Sequence, residues 1–188
     1  FAPFDWAPMT FIYRKDEIAP PRSLDDFSLP IYSGKIAIQD PRSSTPGLQL
    51  FQWISFEKGK NAEAFLEKLK GGIHSVSPSW SFAYGLFKKG QAKLVFSYLT
   101  SLVYHWDKES DRRYQAAIFP GGHPYQVEFV GIPEGCQECG LAKQFVEYML
   151  SPPGQALIYQ RNFMLPAIAN LELAPVYKEL PSLKLVEA

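Results

Sequence analysis

Residues 35–56 read Lys35-Ile-Ala-Ile-Gln39, then Asp40-Pro-Arg-Ser-Ser-Thr-Pro-Gly47, then Leu48-Gln-Leu-Phe-Gln-Trp-Ile-Ser-Phe56. The first run is a short apolar strand, the second is dense in turn formers, and the third predicts a helix over 48–56. The same order recurs toward the C-terminus. Asn61 opens a helix with Phe65, Leu66 and Leu69 at helical spacing, and Gly71-Gly72 ends it. A strand over 73–76 precedes a helix over 81–88 that Gly90 stops. A buried strand over 94–98 leads into a helical stretch over 100–106, and 114–119 and 125–130 are two more strands separated by Gly121-Gly122. Residues 136–150 form the most strongly patterned helix, with Leu141, Phe145 and Met149 on one stripe, and Ser151-Pro152 opens the next. Toward the N-terminus, Ser23-Leu-Asp-Asp26 combines a cap with first-turn acids, and 3–13 is an extended aromatic segment broken by Pro8. Strands alternating with helices imply an α/β fold with a largely parallel sheet.

Composition sets outer limits on function. The 188 residues are 46% hydrophobic and 20% charged, and 19 basic side chains balance 19 acidic ones. That is enough apolar material for a core, which excludes a charge-rich disordered tail. The zero net charge gives no basic field for general nucleic-acid binding. No apolar run approaches the about 18–20 residues that a membrane helix needs. Sixteen prolines and 15% aromatics point to many loops and to a surface that stacks on something flat. The chain opens Phe-Ala-Pro-Phe-Asp, so either a leader has been removed or it is a piece of something longer.

Three groups of residues could carry chemistry. Ser43, Ser44 and Thr45 sit before a helix start, where hydroxyls and free N–H groups suit a phosphate. The same hydroxyls could simply cap the helix, which is the commoner role. Trp80, Tyr84, Tyr98, Tyr104 and Trp106 cluster around the end of the 94–98 strand, and in open α/β sheets ligands bind beyond the carboxyl ends of strands. Aromatic faces there fit a flat or cationic ligand. Tyr84 and Phe87, inside a helix pattern, read as core, whereas Trp80 and Tyr104 fit core and pocket equally. Cys136-Gln-Glu-Cys139 is a lone CxxC, with His74, His105 and His123 all outside ligand spacing, so no zinc site is drawn from it. A local disulfide ranks ahead of free thiols and of a redox pair. No Ser/His/Asp arrangement is visible, and nothing requires an enzyme.

Several motifs in order complete the reading: Gln39-Asp-Pro-Arg-Ser-Ser-Thr-Pro-Gly-Leu48, Ser79-Trp-Ser-Phe-Ala-Tyr-Gly-Leu-Phe87, Ser97-Tyr-Leu-Thr-Ser101 with Tyr104-His105, and Gly122-His123 with Gln126-Val-Glu128. Phe4-Asp5-Trp6 precedes them, and Met149-Leu-Ser-Pro152 with Asn162-Phe-Met164 follows. The series resembles the thiamine-binding periplasmic proteins of ABC importers, a branch of the type II periplasmic binding proteins. The resemblance implies two α/β lobes closing on ligand across a hinge. This chain would carry a hinge strand over 1–13, one complete lobe over 14–124, and a return segment of the other lobe over 125–188. The opening part of that other lobe would be missing.

The resemblance also implies roles. Ser44 and Thr45 match the position that meets the phosphate or hydroxyethyl end of thiamine, its monophosphate or its diphosphate. Trp80, Tyr98 and Tyr104 match pocket aromatics, Asp5 and Trp6 border the pocket, and Phe163 stands where the family commonly has tryptophan. It implies a soluble periplasmic protein without cofactor or catalysis, partnered by a membrane permease. A fragment of this kind would tend to self-associate. A ferric-iron relative would show adjacent tyrosines, which are absent here, while polyamine, sulfonate and phosphonate binders share the fold. A CxxC thiol oxidoreductase is the enzyme alternative.

Overall fold

A computed structural model describes residues 1–186, so the last two positions of the 125–188 segment lie outside the described residues. The elements run β1 (Ala2–Arg14), β2 (Ile36–Gln39), α1 (Thr45–Lys58), α2 (Ala62–Leu69), β3 (Ile73–Ser77), α3 (Trp80–Lys88), β4 (Leu94–Tyr98) and α4 (Ser101–Val103). They continue with β5 (Tyr114–Ala116), β6 (Tyr125–Val130), α5 (Cys139–Leu150), α6 (Pro152–Asn162), β7 (Leu165–Pro166) and α7 (Pro175–Lys178). Short 3₁₀ turns fill the approach to β2 and flank α2, and a π-helical turn over Tyr104–Lys108 extends α4.

The main sheet has the order β3-β2-β4-β1-β5. Strands β2, β3 and β4 are parallel, but β1 runs antiparallel to β4, β5, β6 and β7. The sheet is therefore mixed and not largely parallel as the strand–helix alternation implies. The reason is β1, which enters the sheet before any helix and joins the set from the opposite direction. Nor does Pro8 break this strand. Residues 2–8 pair with β6 and residues 9–14 with β4 and β5, and the exchange of partners falls at Pro8. Proline has no N–H to offer a ladder, so it is tolerated where one set of hydrogen bonds stops and another begins. Its carbonyl still accepts from Leu99 N at 2.8 Å, and Met9 N donates to Pro124 O at 2.7 Å.

Side-chain alternation along these strands builds one core on each face. Met9, Phe11 and Tyr13 of β1 with Leu94 and Phe96 of β4 face α1 and α2, where Trp53, Ile54 and Phe65 cover them. Ile12 and Val95 face the other way, onto Ala83, Tyr84 and Phe87 of α3 and onto Leu102 and Trp106. Trp106 belongs to this core, with its indole N–H on Tyr114 O at 3.0 Å.

Several boundaries differ from the sequence pattern. Helix α1 starts at Thr45, three residues earlier than periodicity gives, because Pro46 at a first-turn position needs no hydrogen bond. The strand expected over 114–119 is regular only over Tyr114–Ala116, and α5 begins at Cys139, after a turn. The stripe on α5 is real in its spacing, yet Leu141 and Phe145 are exposed and no residue of that helix is buried. Cys136 and Cys139 form a bonded pair at its start.

Candidate binding cleft

Three parallel strands place three chain segments on one edge of the sheet. Beyond the C-terminal ends of β2, β3 and β4 lie Pro46 at the start of α1, Trp80 at the start of α3, and Tyr98 with the turn that follows it. They line an open cavity of about 440 Å³, bordered also by Tyr104, Lys88 of α3, Glu128 of β6 and the segment Asn162–Met164. A volume of this size suits one small ligand.

The loop from β2 to α1 is held close to the sheet. Gln39 is buried and donates through Nε2 to Phe96 O at 2.9 Å, fixing β2 to β4. Ser43 Oγ donates to Pro78 O at 2.8 Å, tying the loop to the turn before α3. A Cβ on Gly47 would stand 2.5 Å from Gln39 O and 2.8 Å from the Asp40 carbonyl carbon, so the first turn of α1 rests directly on the backbone leaving β2. Ser44 occupies the N-cap position, but its hydroxyl makes no capping bond. Capping therefore does not use it. Pro46 is the residue of this loop on the cavity wall, and Ser44 and Thr45, half-buried and exposed respectively, stand next to it without lining the cavity.

The aromatic wall is built from α3 and β4. Ser79 caps α3 by accepting from Phe82 N at 3.3 Å, which fixes where Trp80 leaves the backbone. The Trp80 indole N–H donates to Ser97 Oγ at 2.8 Å, and the ring stacks on Tyr84 with centroids 4.9 Å apart and planes at 27°. Tyr98 lies 6.0 Å from Trp80, at 52°. Tyr84 is core, as its helix pattern implies, and also backs the cavity. Its hydroxyl meets His105 Nε2 at 2.8 Å, and His105 Nδ1 meets Glu109 at 2.5 Å. With Glu109 accepting, Nδ1 carries the proton and Nε2 accepts from the tyrosine. Burial lowers the His105 pKa, in keeping with a neutral ring. Glu109 also accepts from Lys88 Nζ at 2.7 Å, and that ammonium lies 5.0 Å from the Tyr104 ring centroid. Burial pushes the Tyr98 phenol pKa up, and the nearby Glu128 charge adds to the effect.

Phe163 meets Tyr104 edge-on, with centroids 5.5 Å apart and planes at 85°. Its φ of +58° is a left-handed conformation that a bulky residue rarely adopts, here ending α6 and bringing the ring onto the cavity wall. Asp5 and Trp6 are not on that wall. Asp5 is fully buried behind it and accepts from Asn162 Nδ2 at 2.9 Å. Trp6, next along β1 and paired with Val127 and Leu165, points to the other face of the sheet from Asp5. The structure thus brings Trp80, Tyr98, Tyr104 and Phe163 together and adds Pro46, Lys88, Glu128 and Asn162. Of these, Pro46, Glu128 and Asn162 fall within the motifs quoted from the sequence, and Lys88 does not. Among the described residues no group of three or more His, Cys, Asp or Glu stands where it could hold a metal.

Comparison with known proteins gives this geometry a context. The chain is 38% identical over 181 residues to the thiamine-binding periplasmic protein of Escherichia coli K12, covering 96% of this chain and 55% of that protein. It is 38% identical over 168 residues to the thiamine-binding periplasmic protein of Brucella abortus, covering 89% of this chain and 50% of that protein. The chain thus spans about half the length of these curated relatives. A solved structure titled periplasmic thiamin binding protein superposes with a TM-score of 0.95 at 37% identity, covering 100% of this chain and 59% of that one. The mixed α/β fold is therefore that of the periplasmic binding proteins. Residues 1–184 match the family described as bacterial extracellular solute-binding protein, and the chain belongs to that family.

Proposed function

We propose that this chain is the ligand-binding part of a periplasmic solute-binding component of an ABC importer. It takes thiamine or one of its phosphate esters in the cavity, without chemistry on the ligand, and delivers it to a membrane permease. The observation that carries the reading is the wall of Trp80, Tyr98 and Tyr104 beyond the parallel strand ends. Such faces hold a flat cationic ring by stacking and cation–π attraction, and thiamine-binding relatives are 38% identical. Ser44 and Thr45, one or two residues from Pro46, are the donors for a phosphate end, and Phe163 supplies an apolar face opposite. In the same reading 1–13 is a hinge strand, 14–124 one lobe and 125–188 a return segment, with Cys136 and Cys139 a local disulfide staple.

Trp80→Ala tests the cavity. In the full-length protein the variant is expected to bind thiamine about 10- to 100-fold more weakly by calorimetry, the range of a desolvated stacking and cation–π contact. An unchanged dissociation constant in a folded variant would move the ligand out of this cavity.

A further inference from the structure

On the cavity wall and directly behind it stand two carboxyl groups, Glu128 and Asp5, that have no basic partner among the described residues. Asp5 and Glu128 are direct cross-strand partners in the β1–β6 ladder. Asp5 is 0% exposed, and while its Oδ2 accepts from Asn162, its Oδ1 has no hydrogen-bond partner among the described residues. Glu128 is on the cavity wall and accepts from Gln126 Nε2 at 3.1 Å. Gln126 is itself only 8% exposed, and its Oε1 is also unpartnered among the described residues. Like charges directly opposed on a ladder are destabilising, and a buried carboxylate without a partner is more so. The other groups around the pair do not supply a positive charge: Asn162 and Gln126 are amides, and Tyr98 is a neutral phenol. Lys88, the basic side chain on the cavity wall, is engaged by Glu109 at 2.7 Å.

We propose that Glu128, backed by Asp5, is the counter-ion for the ligand's cationic ring and the group that makes this cavity select a cation over a neutral ligand of similar outline. The proposal rests on the thiamine reading above and adds to it the source of charge selectivity. An arriving thiazolium supplies the positive charge that the pair lacks. Asp5 then gives its proton to water and is ionised in the complex. Burial, reinforced by the Glu128 charge, pushes the free Asp5 carboxyl up to about 6, with the Asn162 bond opposing. Below that pH the pair keeps a proton and attracts a cation less. Affinity therefore rises as pH climbs through about 6 and levels off above it.

The experiment is calorimetric titration of the full-length protein with thiamine and with thiochrome, its neutral ring-closed oxidation product. Native protein, Glu128→Gln and Asp5→Asn are compared at several pH values, so that titration of the ligand itself is common to all and cancels. At about pH 7.5, Glu128→Gln is expected to weaken thiamine roughly tenfold or more while leaving thiochrome nearly unchanged. Asp5→Asn should flatten the rise of affinity with pH. Native protein titrated in two buffers of different ionisation enthalpy should release up to about half a proton per thiamine at pH 6, where half of the free Asp5 is protonated. That measurement needs no variant and decides the matter if either substitution fails to fold, with no proton release overturning the proposal. A Glu128→Gln protein that keeps both the thiamine-to-thiochrome ratio and the pH slope overturns the charge-selection role alone. A native protein that binds no thiamine at any pH overturns the thiamine reading and this proposal with it.

Discussion

Trp53→Ala is expected to lower the unfolding free energy by about 3–5 kcal/mol, the range for truncating a fully packed aromatic. Trp53 is 2% exposed at the centre of the larger core. Its ring lies 5.2 Å from Phe119 edge-on, 6.1 Å from Phe96, and 5.9 Å from the His123 ring stacked at 25°. Those neighbours belong to a helix-covered sheet face and to the segment before β6, so they cannot all move into the space left behind. Urea unfolding should show the midpoint falling at unchanged slope. Trp53→Phe makes the contrast. The indole N–H is buried without a hydrogen-bond partner among the described residues, so removing it relieves a desolvation cost that offsets part of the lost area. That variant should lose only about 1 kcal/mol. Equal losses for both would mean that the ring's polar end, and not its bulk, matters at this position.

The pH dependence of stability is the second large effect, and it is partly masked in the native protein. His123 is fully buried. Its Nε2 accepts from Phe119 N at 2.9 Å, and its Nδ1 donates to Met9 O at 3.3 Å. Burial pushes its pKa down to about 4 from 6.5, with the Met9 bond opposing. The unfolded chain therefore binds the proton first, so this contribution is complete above about pH 6.5 and is lost as pH falls toward 4, by about 3 kcal/mol. Asp5 works in the opposite sense. Its pKa is raised from 3.8 to about 6, so the native state binds the proton more tightly and stability falls as pH rises from about 4 to 6, by about 3 kcal/mol. The two slopes oppose each other, and His105, whose pKa burial also lowers, adds to that of His123. Asp40 and Asp111, held down to about 2 first of all by hydrogen bonds from Arg42 and Arg113, titrate mostly below this window. Asp5→Asn removes one arm of the balance. Between pH 4 and 6.5 its stability should climb about 3 kcal/mol more than that of the native protein, measured by urea unfolding at each pH. A flat profile in the variant would contradict the assignment of His123.

What the sequence revealed of the site depended on whether proximity was local. Trp80, Tyr98 and Tyr104 each stand at or just past the end of a strand, and parallel strands bring such positions to one edge without further information. Asp5 and Glu128 meet only because β1 pairs with β6 across most of the chain, and no local pattern encodes that register. The same strand explains the error in sheet direction, since its own residues carry no mark of running against β4. The stripe on α5 shows the complementary limit: spacing defines an apolar face but not what lies against it. Phe163 was legible as an aromatic but not as a left-handed residue, because composition gives no reason to put a bulky ring at positive φ. The loop over 40–47 stands out in the sequence for its hydroxyls, whereas in the structure its proline touches the cavity and its glycine holds the loop down.

That glycine limits how the sequence can drift. Every amino acid other than glycine carries a Cβ or its equivalent, and at position 47 that atom meets backbone carbonyl groups that cannot rotate away. Every base change that replaces this glycine therefore produces a disfavoured protein. Two residues earlier, Thr45 is exposed and faces no such wall. Within one short loop, then, one position is closed to variation by the shape of the main chain. Its neighbour remains open, free to be tuned to whatever the ligand presents there.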